Sequence, residues 1–315
     1  MDKQVRRAVL ADVPSIMSLL AVLDKLNAEN RPDVYHGHQQ KSENEIKCII
    51  KNGEEQVLVS TNEVNEITGM MICRIWGNRN PKEIYIRSFC VATPYRKKGY
   101  GKMLFEYIKQ YAKENGCSTV TLNVDYFNQN AYDFYKHLGM KEYMCDMEYI
   151  VEDEKHNIAG NVRQAVAADI PGIMSVLAST DELDEDTLSD AFYRPHYCYV
   201  SVIRAVIEGD DERKIFVSTN ESNDIVGFLI FNEEEYKNDK LYADAKLLGV
   251  IYICVPKPYR GKGYSKMLLD YAKQYAKEND CSRIEVDVRV TKKDVYDFCK
   301  CQGMKEKAFR MEYIL

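Results

Sequence analysis

The chain has 315 residues, of which 45% are hydrophobic and 29% charged, and its formal net charge at pH 7 is −6. This length predicts about two domains, and the composition is that of an ordinary globular protein with enough apolar residues for real cores. The net charge argues against a nucleic-acid binder, no apolar run reaches the roughly 18 residues of a membrane span, and the N-terminal sequence lacks the apolar segment of a signal peptide.

Ten cysteines are scattered along the chain without a Cys-x-x-Cys pair. The closest approach, Cys299-x-Cys301, has no companion His or Cys motif. Cysteines in this pattern act as small buried hydrophobes rather than as disulfides or metal ligands. We therefore predict a cytoplasmic protein with no metal site, no nucleic-acid partner and no membrane partner.

The first predicted elements are a strand at Val5–Leu10 and a helix that follows Asp12. Asp12 has the residue type of an N-cap, and Pro14 is tolerated in the first helical turn. Periodicity and turn residues then predict a Pro/Gly/His loop, a short helix and a hairpin of two strands. These elements span residues 30–38, 43–51, 56–60 and 66–76.

A basic, glycine-containing turn follows the next strand. Ile84–Val91 is rich in β-branched and aromatic residues, and apolar positions recur at helical spacing from Lys102 to Asn115. Glycines between them allow positive φ, so that backbone N–H groups and the helix N-terminus can face an anion together. The sequence matches neither a Walker A loop nor a dinucleotide fingerprint. The residues of this predicted phosphate-binding turn are Arg96, Lys97, Lys98, Gly99 and Gly101.

A second motif follows the next strand, Thr119–Val124. Residues 128–140 place Ala131, Phe134 and Tyr135 on one helical face. Tyr135 is therefore either a core tyrosine or a functional phenol. Both interpretations can hold, because a buried tyrosine hydroxyl needs a partner.

The two motifs together resemble the GNAT N-acetyltransferase superfamily, which uses acetyl-CoA. Arg96-x-x-Gly99-x-Gly101 is similar to its pyrophosphate loop, and residues 128–140 are similar to its second cofactor motif, with Met140 in place of the final aromatic. The resemblance implies that pantetheine lies between two splayed strands and that Tyr135 is the general acid that protonates the leaving CoA sulfur. It implies the donor-binding residues Phe89, Cys90, Val91, Arg96, Lys97, Lys98, Gly99, Tyr100, Gly101, Lys102 and Asn128.

The second half of the sequence repeats the first. Lys273–Asn279 is identical to Lys109–Asn115, and Val255 follows Val91 by 164 residues in a register that holds to the end of the chain. A match this long without gaps indicates duplication of a whole domain. We therefore predict GNAT-like domains at 1–152 and 161–315, joined by a charged linker at 153–160.

The fold class predicted for each unit is α+β, a three-layer arrangement with a mixed twisted sheet flanked by helices. The resemblance to the GNAT fold covers nearly all of both units. A separate hypothesis is that the two domains pack as an internal pseudo-dimer, in which the second unit has a structural role and shapes the acceptor groove of the first. Arg31–Asp33 also resembles a short pattern that occurs near the acceptor side in some relatives.

The second unit departs from the pattern. Ser265 replaces Gly101, Lys292 replaces Asn128, and Val295 and Cys299 replace Ala131 and Tyr135. We interpret this unit as a degenerate, non-catalytic duplicate, although a thiol could in principle act as an acid. Its segment Glu233–Lys240 reads as an acidic inserted loop that either is solvated, attracts a cationic acceptor or closes over the first unit's site.

The predicted reaction is direct attack of a primary amine, on a small molecule or a peptide, on the thioester of acetyl-CoA. A backbone N–H near Phe89 and Val91 would stabilise the oxyanion. The base is open, because no carboxylate stands in the strand before the turn except Glu83 at its start. The other candidates are Asp33, His36, His38, Asp125, Tyr126 and a water chain. The alternative function is a non-catalytic CoA-binding sensor or scaffold.

Overall fold

The computed structural model describes residues 4–36, 41–76, 82–151, 161–181, 197–209 and 212–315. The predicted linker, the loop at 77–81 and His38 lie outside these ranges.

The two units share one order of elements. The first unit contains β1 (Gln4–Arg7), α1 (Val13–Asn30), α2 (Glu43–Asn52), β2 (Gln56–Thr61), β3 (Ile67–Trp76), β4 (Lys82–Val91), α3 (Tyr100–Glu114), β5 (Cys117–Asp125), α4 (Gln129–His137) and β6 (Lys141–Ile150). The second contains β7 (Val162–Gln164), α5 (Ile170–Asp181), α6 (Tyr197–Glu208), β8 (Lys214–Thr219), β9 (Ile225–Tyr236), β10 (Ala245–Cys254), α7 (Tyr264–Glu278), β11 (Arg283–Arg289), α8 (Lys293–Cys301) and β12 (Lys305–Ile314).

Each unit has the predicted three layers, because alternate strand residues point to opposite faces. In β3, Met70 and Ile72 pack in the core formed with α1 and α2. Met71 and Cys73, the residues that alternate with them, pack in the core formed with α3 and α4. The mixed sheet with helices on both faces agrees with the predicted fold class.

The last strands of the two units are exchanged within one continuous sheet of twelve strands, in the order β1-β2-β3-β4-β5-β12-β6-β11-β10-β9-β8-β7. β12 of the second unit lies between β5 and β6 of the first and is antiparallel to both. β6 in turn pairs with β11 of the second unit. Each unit therefore completes its sheet with a strand of the other.

The exchange also moves core residues between the units. Met311 of β12 is fully buried in the core of the first unit, together with Leu104 and Leu122. Cys145 and Met147 of β6 are fully buried in the core of the second unit. Neither core is complete without the last strand of the other unit.

Three local predictions need correction. β1 ends at Arg7, because a 3-10 turn at Leu10–Asp12 replaces the predicted end of the strand. The Asp12 side chain does not cap α1; it accepts the Val9 N–H at 2.8 Å and pairs with Arg6. Glu233 lies within β9 rather than in a loop, and Lys246 forms an ion pair with it at 2.6 Å.

We predict that Met311→Ala destabilises the first unit although the residue belongs to the second half of the sequence. Truncation of a buried Met costs about 2–5 kcal/mol. Hydrogen exchange measured residue by residue should accelerate in β5. In the matched variant Met304→Ala, which lies in the second unit's own core, the acceleration should instead fall on β10 and β11. The same exchange pattern in both variants would contradict the strand exchange.

We predict that Asp12→Asn lowers the free energy of unfolding at pH 7 by about 1.5–3 kcal/mol, the range for hydrogen bonds to charged groups. The Arg6 guanidinium holds the pKa of Asp12 below its ordinary value. This stabilisation is therefore present above the ordinary aspartate pKa and is lost as the pH falls through the lowered one. Chemical denaturation at several pH values should show the two proteins converging in acid. The exposed Asp297→Asn is the control, and a difference that persists in acid would count against the ion pair.

Candidate active site

β4 and β5 separate part of the way along their length. Lys82–Ile86 of β4 pairs in parallel with Cys117–Leu122 of β5. Among the described residues, the pairing of these two strands extends no further. Beyond that point both strands continue, to Val91 and to Asp125. The result is a V-shaped gap between two strand ends, and the backbone edge of β4 faces into it.

A β-bulge in β4 marks the point of separation. Opposite β3, Ile72 pairs with Ser88 and Cys73 with Ile86, so that Arg87 is the extra residue. A bulge reverses which residues face which side. Ile86 before it and Phe89 after it therefore both pack on the α3 side, whereas Cys90 packs on the α1 side.

The basic turn connects the end of β4 to α3. Lys97 and Gly99 have left-handed backbones, with φ of 59° and 92°. The Arg96 side chain donates from Nε to the Val91 carbonyl at 3.0 Å, which ties the turn to the strand end. The predicted cations Arg96, Lys97, Lys98 and Lys102 are all exposed. The turn thus presents positive charge where the N–H groups of a 15-residue helix begin.

Gly101 lies in the first turn of α3, where a side chain does not fit. A Cβ at this position would stand 2.9 Å from Cζ of Phe134. The Phe134 ring in turn packs against Phe89 at 5.6 Å and against Tyr135 at 5.4 Å between centroids. The missing side chain lets the helix start approach the aromatic group beside the gap.

Tyr135 lies on the buried face of α4 and is 8% exposed. Its ring is 6.1 Å from that of Phe89, on the strand that borders the gap. Burial raises the pKa of the phenol, and the nearby Cys90 thiol adds to the rise. Within the described part of the chain the hydroxyl makes no hydrogen bond. This is unusual for a buried tyrosine.

Among the other predicted donor-binding residues, Tyr100 is buried at the start of α3. Asn128 is the N-cap of α4, and its side chain accepts the Ala131 N–H at 3.2 Å. The amide therefore fixes the helix that carries Tyr135.

The base candidates fall in different places. Glu83 pairs with Thr119 in the closed part of the two strands, away from the gap. Asp33 is bound to Arg31 at 2.7 Å, and Tyr126 is 46% exposed. Asp125 is the last residue of β5, at the open end of the gap.

The second unit repeats this geometry with different chemistry. Arg260 Nε donates to the Val255 carbonyl at 3.1 Å, and Gly261 and Gly263 have positive φ. Cys299 is buried where the first unit has Tyr135, and burial raises the pKa of its thiol to about 11. Lys292 makes no side-chain cap at the start of α8, in contrast to Asn128.

A loop of the second unit packs against the first. Residues 237–244 connect β9 to β10, and Tyr242 forms a bridge with Tyr35. The His36 N–H donates to the Leu241 carbonyl and the Ala243 N–H to the Val34 carbonyl, both at 2.9 Å. The loop therefore begins later in the sequence than predicted. The glutamates of the predicted acidic loop lie in β9, and the residues that follow β9 form the loop that contacts the first unit. No local signal in the sequence indicated that Tyr35 and Tyr242 would meet.

In the ranges that the structure covers, no helix is long and apolar enough to span a membrane. Within the same ranges, no group of three or more His, Cys, Asp or Glu side chains could hold a metal ion.

Comparison with curated proteins returns N-acetyltransferases. The chain is 31% identical over 94 residues to "Probable N-acetyltransferase san" of Drosophila melanogaster, a match that covers 30% of this chain and 50% of that protein. It is 27% identical over 96 residues to "N-alpha-acetyltransferase 50" of Danio rerio, covering 30% of this chain and 56% of that protein. The chain thus spans about half the length of these relatives.

Solved structures show the same fold over the whole chain. A GCN5-related N-acetyltransferase from Sphaerobacter thermophilus superposes with a TM-score of 0.57 at 16% identity, covering 99% of this chain and 95% of that one. A tandem GNAT protein from the clavulanic acid biosynthesis pathway superposes with a TM-score of 0.50 at 11% identity, covering 99% and 98%. At these identities the likeness concerns the fold alone.

The sequence profile of the acetyltransferase (GNAT) family matches the chain twice, at residues 21–140 and 178–304. The two matches fall on the two units and together cover more than half of the sequence. The chain therefore belongs to the acetyltransferase (GNAT) family, with two copies of its domain in tandem.

Proposed function

We propose that the first unit transfers an acetyl group from acetyl-CoA to a primary amine, with Tyr135 as general acid. The observation that carries this proposal is that the Tyr135 hydroxyl has no hydrogen-bond partner among the described residues, although the residue is only 8% exposed and its ring lies beside the gap. The family is one of acetyltransferases, and the curated relatives are named as N-acetyltransferases.

The reaction forms a bond between the amine nitrogen and the carbonyl carbon and breaks the bond between that carbon and sulfur. The amine loses a proton and the departing sulfur gains one. Because burial raises its pKa, the Tyr135 phenol stays protonated at neutral pH. Burial also raises the pKa of a thiolate that leaves into the same apolar surroundings, so that the phenol can donate to it. Tyr135 then recovers its proton from solvent.

The donor would bind with its pyrophosphate at the basic turn and its pantetheine along the open edge of β4. Arg96, Lys97, Lys98 and Lys102 supply positive charge at the turn. The β4 edge from Phe89 to Val91 supplies backbone groups, one of which would stabilise the oxyanion. Asn128 would act by fixing α4, since its side chain caps that helix.

We assign the second unit, the domain at 161–315, a non-catalytic role as the internal partner of the domain at 1–152. Cys299 is a weak substitute for the phenol, and Ser265 and Lys292 weaken the donor motifs. In this proposal the two domains form a pseudo-dimer in the cytoplasm, and the shared sheet supports that arrangement. A donor-binding sensor remains the alternative function, and the open Tyr135 hydroxyl argues against it.

We predict that Tyr135→Phe lowers kcat at least 100-fold, the usual contribution of a general acid, without changing the affinity for acetyl-CoA. The assay is release of CoA thiol in the presence of a panel of primary amines. Tyr107→Phe is the control, because this half-buried tyrosine lies on α3 and makes no hydrogen bond through its hydroxyl within the described ranges. An unchanged kcat in Tyr135→Phe would remove the acid assignment.

We predict that acetyl-CoA binds with a stoichiometry of one per chain and that Gly101→Ser weakens this binding at least tenfold. The added side chain must displace Phe134 and with it the aromatic group beside the gap. Calorimetric titration gives both the stoichiometry and the affinity. The reciprocal variant Ser265→Gly, at the equivalent position of the second unit, should leave the first site unchanged. Two equal sites would mean that the second unit also binds donor, and no binding would exclude the proposed function.

A further inference from the structure

Asp125 and Tyr135 approach the gap from opposite faces of the sheet. Val124 packs in the same core as Tyr135, so that the next residue of β5 points to the other face. Asp125 lies three residues beyond Leu122, the last β5 residue that pairs with β4. On its other side it stands opposite Ala308 of β12, a small residue. The carboxylate is therefore at the open end of the gap, across the sheet from the proposed acid.

Asp125 differs from the carboxylates around it. Glu148 is paired with Arg31 at 2.7 Å, and Glu285 with Lys307 at 2.6 Å. Asp125 accepts a hydrogen bond from the Tyr35 hydroxyl at 3.0 Å and has no ion pair among the described residues. Its charge is thus available to a cation that enters from outside.

Aromatic rings adjoin this carboxylate. The Tyr35 and Tyr242 rings are stacked with centroids 5.9 Å apart, and Tyr236 is 4.8 Å from Tyr242. A carboxylate beside tyrosine rings has the composition of a site for an organic ammonium ion, which the ring faces and the charge both attract. Two of these three rings belong to the second unit.

The second unit holds Tyr242 in place. The Asp239 side chain accepts the N–H groups of Leu241 and Tyr242 at 2.7 and 2.8 Å. Lys240 reaches α2 of the first unit and pairs with Glu45 at 2.9 Å. The ring is therefore fixed both within its own loop and against the first unit.

We propose that Asp125, Tyr35 and Tyr242 form the acceptor site of the first unit, that they bind an alkylammonium ion, and that Asp125 takes its proton. This inference rests on the proposed function and names its acceptor class. The ammonium N–H bond breaks and its proton passes to a carboxylate oxygen, and the free amine attacks the thioester. The second unit, which has no phenol of its own at position 299, supplies one wall of the site.

The geometry sets the direction of the pH dependence. The groups that face Asp125 are Tyr35, Arg31, Glu148 and Lys307, together with Tyr242 from the loop. Burial raises the pKa of Asp125, while the Tyr35 hydrogen bond and the cations of Lys307 and Arg31 oppose the rise. The base form therefore accumulates as pH rises through the raised pKa, and the rate should rise with it.

The binding test is calorimetric titration of 1,4-diaminobutane into the full-length protein, with 1,4-butanediol as the uncharged isostere. We expect the diamine to bind and the diol not to bind. Tyr242→Ala and Asp125→Asn should each weaken diamine binding at least tenfold. Tyr242→Phe, which keeps the ring, should stay within threefold of the wild type. Equal binding of diamine and diol, absence of diamine binding, or wild-type affinity in both weakened variants would overturn the site.

The kinetic test is thiol release from acetyl-CoA with the same diamine across a range of pH. Asp125→Asn should remove the acidic limb of the pH–rate profile, whereas Tyr242→Ala should raise KM for the diamine and keep the limb. A limb that survives in Asp125→Asn would overturn the assignment of the base. Affinity for acetyl-CoA should be unchanged in all three variants. Failure of the wild type to bind acetyl-CoA would reject the proposed function alone, because the diamine titration does not depend on it.

Discussion

The exchange of β6 and β12 is the constraint on which the rest of the structure depends. A sheet edge leaves unpaired backbone groups and uncovered apolar side chains. Each unit has such an edge after its fifth strand, and the last strand of the other unit covers it. Met311 of the second unit is buried in the core of the first, and Met147 of the first unit is buried in the core of the second. Each unit contributes only its last strand to the core of the other. Neither unit can therefore complete its core without the other. The gap between β4 and β5 opens next to the exchanged strand β12, which pairs with the other edge of β5.

The strand exchange also positions the residues of the proposed site. β5 is paired with β12 from Thr119 to Asp125, so that it can leave β4 after Leu122 and still remain a strand. One face of the diverging ends carries the aromatic group of Phe89, Phe134 and Tyr135, in which the tyrosine is buried and the two phenylalanines are half-buried. The other carries Asp125 in polar surroundings, where the two units meet. Burial raises the pKa of both the phenol and the carboxylate, and in each case it favours the protonated form.

The parts of the site that the sequence predicted are those formed by contiguous residues. The turn from Arg96 to Gly101 and the helix with Tyr135 are local patterns, in which spacing determines geometry. Glu233 was misread as the start of an acidic loop, because the two lysines that pair with it, Lys214 of β8 and Lys246 of β10, lie on neighbouring strands rather than next to it in the chain. The meeting of Tyr35 with Tyr242 and the exchange of strands depend on tertiary pairing alone. Asp12 had the right residue type for a cap, but a nearby arginine and a 3-10 turn used its carboxylate differently.

The reciprocal exchange has an evolutionary consequence. Once two copies of a domain each depend on the other's final strand, neither can be deleted without opening the core of its partner. The second copy has Ser265 and Cys299 where the first has Gly101 and Tyr135, and these differences leave the shared sheet intact. A duplicate that is retained for its fold can still change the surface that it presents to the first unit. The loop that carries Tyr242 lies at that surface, because it contacts the first unit at Tyr35.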